Sequence, residues 1–246
     1  MPEQGTQPPA KYYHRRASTP LSHRLSIVTA VGASINHSIN HRRRRINHLN
    51  YLAHLYLSAN RPLLAVGNFI ADHVKGSMVE KYEGEVRDGI RLHRLIDAFT
   101  DSHPVVEESK ARLRPDFRKY APVIVDIYYD HFLARDWKLY HHQPLEQYAG
   151  DTYAMLRKYE SLLPERTKHM LSYMEPQNWL VKYSTLDGMQ RALTGLSRRT
   201  TFESNMQHAH LFLEKHYADF EREFNAFFPE LRLYVHTVAD LMSDAQ

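Results

Sequence analysis

From Tyr51 onward the apolar residues recur at intervals of three and four, the repeat of a helix face buried on one side. Period-two alternation is missing, so nothing reads as a hairpin or a sheet. The pattern predicts helices at about 50–59, 62–75, 80–101, 104–119, 122–137, 144–162, 165–174, 177–196, 202–228 and 230–243. Pro62, Pro104, Pro122, Pro144, Pro164, Pro176 and Pro229 stand at or near the starts, where a missing N–H costs little. Gly76 stands where a helix C-terminus favours glycine. The expected fold is all-α: a single helical domain of about ten helices over 49–246. Phe212, Tyr217, Phe220, Phe224 and Phe227 supply aromatic packing from the 202–228 helix.

Several of these helices carry acids where burial is expected. In 80–101, Leu92, Leu95, Ile96 and Phe99 form one stripe, and His93, Asp97 and Asp101 form the adjacent one at i, i+4, i+8. The 122–137 helix is apolar on all faces through Val123, Ile124, Val125, Ile127, Tyr128, Tyr129, Phe132 and Leu133, yet holds Asp126, Asp130 and His131. The 62–75 helix repeats the theme with Asn68 and Asp72 at i, i+4, and His54 is embedded in Tyr51-Leu52-Ala53-His54-Leu55. A buried carboxylate needs a partner charge or a metal. Any one of these has a structural reading: an Asp97–Arg94 ion pair, a core histidine at 54, a helix-contact hydrogen bond at Asn68, an N-cap at Asp101. Several in succession favour a divalent-metal site of imidazole and carboxylate, with a water activated on the metal.

Composition narrows this further. The 246 residues contain no Cys, which removes thiol catalysis, disulfides and cysteine-held zinc or iron–sulfur centres. The 9 Gly form neither a dinucleotide-binding fingerprint nor a phosphate-binding P-loop. No run reaches the ~20 apolar residues of a membrane span. The net charge of +4 divides unevenly: residues 1–48 hold eight Lys and Arg against one acid, and the remainder holds 24 against 27. No specific nucleic-acid binding is therefore expected of the main domain. Residues 1–48, with four Pro and the run His41-Arg42-Arg43-Arg44-Arg45, read as a disordered basic extension. It is open to three readings: a transit peptide, a nucleic-acid-binding arm, or sequence upstream of a natural start near Leu49.

The segments Asn50-Tyr51-Leu52-Ala53-His54-Leu55, Gly67-Asn68-Phe69-Ile70-Ala71-Asp72, Gly89 to Asp97 with Thr100-Asp101, and Asp126 to Leu133 together resemble the acyl carrier protein phosphodiesterases. Asn178-Trp179-Leu180-Val181-Lys182-Tyr183 is also similar to that family, and the resemblance covers about 49–246. It implies a variant of the all-α HD-type metal phosphohydrolases. It also implies hydrolysis of holo-acyl carrier protein to 4′-phosphopantetheine and apo-carrier in the bacterial cytoplasm, with Mn²⁺ or Mg²⁺. Carried over residue by residue, it makes Asp72 an essential aspartate and His54, Asp72, His93, Asp97, Asp130 and His131 the metal set, with Asp72, Asp130 and His131 catalytic. Asn68, Asp101 and Asp126 are expected to support them. Asp130-His131 runs in reverse order to the family's His-Asp dyad. Two other functions remain open: a metal phosphohydrolase of a small nucleotide or other phosphate ester, and a non-catalytic helical binding module. An acidic carrier calls for a basic face, and Lys75, Arg87, Arg91 and Arg94 are the candidates, extended by Arg112, Arg114, Arg118 and Lys119.

Overall fold

Gly67 and Gly89 mark the point where two helix backbones touch. A Cβ at position 67 would stand 2.0 Å from the carbonyl oxygen of Val86, and one at position 89 would stand 2.1 Å from that of Leu64. The computed structural model describes residues 50–243, and among them all regular structure is helical. In order these are α1 (Tyr51–Leu57), α2 (Pro62–Ile70), α3 (Gly84–Ser102), α4 (Pro104–Phe117), α5 (Ala121–Arg135), α6 (Leu145–Lys158), α7 (Glu165–Met174), α8 (Trp179–Lys182), α9 (Leu186–Ser197), α10 (Ala209–Lys215) and α11 (Tyr217–Ser243). The basic extension expected at 1–48 lies outside the described residues.

The α2–α3 crossing positions the site. Two glycines let the helices approach to backbone contact, with a Cβ built at 89 only 2.9 Å from the Gly67 Cα. Asn68 and Asp72 then face His93 and Asp97 from the neighbouring helix. The obstructing atoms are main chain, so neither helix can yield by rotating a side chain. Gly89→Ala is therefore expected to push α2 from α3 and lower the thermal midpoint sharply. Gly150→Ala in α6, where nothing lies within 4 Å of a new Cβ, should be neutral or stabilising by ~0.5–1 kcal/mol. Melting curves of the two variants check this, and an unchanged midpoint for Gly89→Ala contradicts the crossing.

α5 is buried all round, as its pattern predicts: Ile124, Val125, Ile127, Tyr128, Phe132 and Leu133 show no exposed surface. Phe224 stacks on Phe132 with centroids 5.7 Å apart, and Phe220 meets Tyr128 edge-on at 5.0 Å. This aromatic seam joins α5 to α11.

Several boundaries differ from expectation. The end of α2 tightens into a 3₁₀ turn at Ala71–His73, which carries Asp72. A second 3₁₀ segment, Gly76–Lys81, replaces the first turn expected of α3; that helix begins only at Gly84, at φ +52°. The expected 177–196 helix divides into α8 and α9. Thr185 caps α9 by accepting from the Gly188 N–H at 3.1 Å, and Gly188 packs against the Lys182 carbonyl. The expected 202–228 helix breaks at His216, and α11 then runs through Pro229 instead of starting there. A proline inside a helix costs ~3 kcal/mol. Burial of Phe220, Phe224, Phe227, Phe228 and Leu231 offsets it, at roughly 1.5–3 kcal/mol for each side chain.

Candidate metal centre

His54 from α1, and His93 and Asp97 from α3, converge beneath the α2–α3 crossing. All three are buried, and one ligand-type atom from each lies within 4.8 Å of the others. The two imidazoles stack with centroids 4.1 Å apart. The Asp97 carboxylate spans them: His54 Nε2 is 3.4 Å from Oδ1, and His93 Nε2 is 3.4 Å from Oδ2. Asp72 stands at the open side, its Oδ1 3.7 Å from His93 Nε2, with 15% of its side chain exposed.

Asn68 sets the protonation of both rings. Its Nδ2 donates to the His54 carbonyl and to Ser58 Oγ, each at 2.9 Å, which turns Oδ1 toward the imidazoles. His54 Nδ1 is 2.7 Å from that oxygen and His93 Nδ1 is 3.1 Å from it. An amide oxygen only accepts, so the network assigns a proton to Nδ1 of each ring and a lone pair to each Nε2. Burial, and then the neighbouring His93, push the His54 pKa down, against the pull of Asp97 and Asn68. Neutral His54 is thus the favoured form. Two imidazole lone pairs and a carboxylate facing one small space form an electron-rich cluster that could hold a cation. Donors each about 2.1 Å from one ion stand roughly 3.0–3.5 Å apart, which fits the observed 3.4 Å separations.

The structure does not bring Asp130 and His131 into this cluster. Asp130 is fully buried on α5, and its two oxygens accept the Leu52 and Ala53 N–H groups at 2.9 Å each. Asn50, at the N-cap position of α1, makes no side-chain cap, so Asp130 satisfies the open end of that helix from across the core. Burial pushes the Asp130 carboxyl up, and the two N–H groups oppose this. Both ring nitrogens of His131 are engaged: Nδ1 lies 2.8 Å from the Tyr183 carbonyl and Nε2 2.8 Å from the Tyr217 hydroxyl. Burial lowers its pKa. Asp126 is buried one turn before Asp130, outside the three-residue cluster. Asp101 is half exposed and pairs with the buried Lys110 at 2.8 Å. The cap of α4 is His103, whose Nδ1 accepts from the Val105 N–H.

Among the expected basic residues, Arg94 reaches the Val74 carbonyl, two residues past Asp72, and Lys75 beside it is exposed. Arg91 is 59% exposed and stands 3.3 Å from Asp88. Arg87 donates to the Tyr82 carbonyl at 2.6 Å. Arg112 is instead held by buried Glu223 through two bonds of 2.7 and 2.8 Å, and Arg114 pairs with Glu107. Lys119 lies over the Phe202 ring, and Arg118 is exposed. Sequence reasoning missed Ser58, which is fully buried, donates to the His54 carbonyl and accepts from Asn68. It also missed the packing role of Gly67 and Gly89; glycine inside an apolar helical pattern is the signal that points to such a role.

Among the described residues, fold and site together define an all-helical domain with an imidazole–carboxylate cluster suited to a divalent ion. Residues 49–231 match the family described as acyl carrier protein phosphodiesterase. Among similar proteins, the acyl carrier protein phosphodiesterase of Photorhabdus laumondii subsp. laumondii is 33% identical over 182 residues, covering 74% of this chain and 92% of that one. Those of Enterobacter sp. strain 638 and Yersinia enterocolitica are 33% and 32% identical over 184 residues, each covering 74% of this chain and 95% of theirs. No solved structure matches. The chain belongs to the acyl carrier protein phosphodiesterase family. Among the described residues no helix is long and apolar enough to cross a membrane.

Proposed function

We propose that this chain hydrolyses the phosphodiester joining 4′-phosphopantetheine to a serine of holo-acyl carrier protein, in the bacterial cytoplasm. The observation that carries the metal-dependent reading is the Asn68 amide, which turns both Nε2 lone pairs toward Asp97. His54, His93 and Asp97 are assigned as the ligands, with Asp72 at the open side. When bound, a divalent cation supplies charge neutralisation at a phosphoryl oxygen and a water of lowered pKa. Two imidazoles in the set favour Mn²⁺ over Mg²⁺, which prefers oxygen ligands. Asp72, part-exposed beside His93, is assigned to hold the attacking water and take its proton. The water oxygen bonds to phosphorus, the phosphorus–serine oxygen bond breaks, and the serine oxygen regains a proton from solvent at the open side. Asp130 and His131 are assigned to positioning: the first fixes the turn that carries His54, the second ties α5 to Tyr183 and Tyr217.

Lys75, Arg91 and Arg94 are exposed on the turn after Asp72 and on α3, where they suit an acidic protein partner. Exposed charges act mainly on encounter and are screened beyond ~8 Å at physiological salt. Cleavage of holo-carrier is therefore expected to fall steeply with ionic strength, and Arg91→Glu to raise KM several-fold with metal content unchanged. Steady-state assays across a salt series check this. Salt-independent cleavage, with Arg91→Glu at wild-type KM, contradicts the basic docking face.

A further inference from the structure

Ser58 closes the C-terminal end of α1, and its hydroxyl reaches back one turn to the His54 carbonyl at 2.8 Å. Serine at a helix end commonly does this, because the last carbonyls lack a helical N–H. Here the same hydroxyl also accepts from Asn68 Nδ2 at 2.9 Å, and Nδ2 gives its other proton to the His54 carbonyl, again at 2.9 Å. His54 O, Ser58 Oγ and Asn68 Nδ2 thus form a triangle in which two oxygens share three protons. Ser58, Asn68 and His54 are all buried, so solvent does not replace a partner lost from this triangle.

On its other side the Asn68 amide meets the two rings, with Oδ1 at 2.7 Å from His54 Nδ1 and 3.1 Å from His93 Nδ1. A second arrangement fits the same heavy-atom positions, since the two ends of an amide are nearly equal in shape. Turned over, the amide donates to both Nδ1 atoms, and each ring carries its proton on Nε2, 3.4 Å from an Asp97 oxygen. Two N–H groups aimed at a carboxylate favour this arrangement when no cation is bound. It leaves no imidazole lone pair facing Asp97, so it does not bind metal. The triangle opposes it. A turned-over amide sets a third oxygen against His54 O and Ser58 Oγ, and the three then share one proton, that of Ser58.

We propose that Ser58 is a positioning residue of the metal centre: its hydroxyl holds the Asn68 amide in the setting that keeps both Nε2 lone pairs toward Asp97, and without it the metal-free cluster divides between two tautomers. This rests on His54 and His93 being metal ligands, and not on the carrier being the substrate. Ser58 bonds to neither ring and acts through Asn68. Alanine at this position removes one acceptor of Nδ2 and leaves the other, the His54 carbonyl.

Nitrogen-15 NMR of the imidazole side chains in metal-free protein tests this, because the two neutral tautomers differ in nitrogen shift. Signals are assigned by their loss in His54→Gln and His93→Gln. Wild-type protein is expected to carry Nδ1–H on both rings. In Ser58→Ala the Nε2–H form should appear on both rings together, and Mn²⁺ affinity, read by competition with a chromophoric chelator, should fall about fivefold, the effect of one hydrogen bond. Ser58→Cys fills the space with a much weaker hydrogen-bonding group and should give the same two tautomers. Ser58→Thr restores the hydroxyl and should return the wild-type tautomer and affinity. Ser58→Ala and Ser58→Cys with Nδ1–H on both rings would overturn the proposal, whether or not Mn²⁺ affinity falls, and leave Ser58 a helix cap. The expected tautomers and affinities in a protein that leaves holo-carrier intact would sustain the role of Ser58 and defeat the reaction alone.

Discussion

His93→Ala is expected to abolish catalysis, lowering turnover roughly a thousandfold or more, and to strip the protein of its metal. His93 supplies one of the two Nε2 lone pairs facing Asp97 and stacks on the other imidazole, so its loss opens the cluster on two sides. The remaining donors, His54 and Asp97, then lack the third partner that brings three ligands together. Asp97→Ala should behave alike, and the double variant should be little worse than either single one, because one missing ligand already disables the centre. Asn68→Ala leaves all ligands in place but frees both rings to rotate and change tautomer. A loss of ~10–100-fold is expected there, the range for a group that orients metal ligands. Metal content by elemental analysis, read beside turnover, separates these cases. Wild-type metal content in His93→Ala would remove His93 from the ligand set.

Asp130→Ala carries the second large effect, and it is one of stability. The substitution leaves the Leu52 and Ala53 N–H groups buried without an acceptor, at ~1–3 kcal/mol each, and empties the space of the carboxylate. A total of ~3–5 kcal/mol is a large part of the ~5–15 kcal/mol that holds a domain folded. At ~2–4 °C per kcal/mol for a domain this size, the midpoint should drop by about 10 °C or more. Asp130→Asn keeps one acceptor oxygen and should fall between. The folded fraction at low temperature should still bind metal, since Asp130 touches α1 rather than the cluster. An Asp130→Ala protein with wild-type stability and no metal would make this residue a ligand after all. Thermal melts of chelated protein, paired with metal content at 4 °C, decide between the two.

Asp130 also shows where sequence reasoning stops. Asp97 and Asp130 read alike along the chain, each a carboxylate among apolar residues on a helix. One faces two imidazoles and the other caps a helix 77 and 78 residues away in sequence. Helical periodicity fixes which face of its own helix a side chain shares, not what lies opposite. Hence the pairs His93/Asp97 and Asn68/Asp72 were legible as i, i+4 units, as was the burial of His54 and of all of α5. That Asn68 orients both rings was not legible, because it depends on the contact of Gly67 with Gly89. The same limit applies at Arg112: its spacing suits a basic surface, yet buried Glu223 on α11 holds it. Pro229 misleads in the opposite sense, since a strong local stop signal is overridden by the row of buried phenylalanines around it.

The most direct measurement is the intact mass of holo-acyl carrier protein after incubation with this protein, once loaded with Mn²⁺ and once with excess chelator. Metal-loaded protein is expected to convert the carrier to the mass of the apo form, with 4′-phosphopantetheine recovered in equal amount. Chelated protein and His93→Ala are expected to leave the carrier unchanged. Conversion that proceeds fully in chelator would contradict the metal centre, and a carrier that stays intact with metal-loaded wild-type protein would contradict the reaction itself.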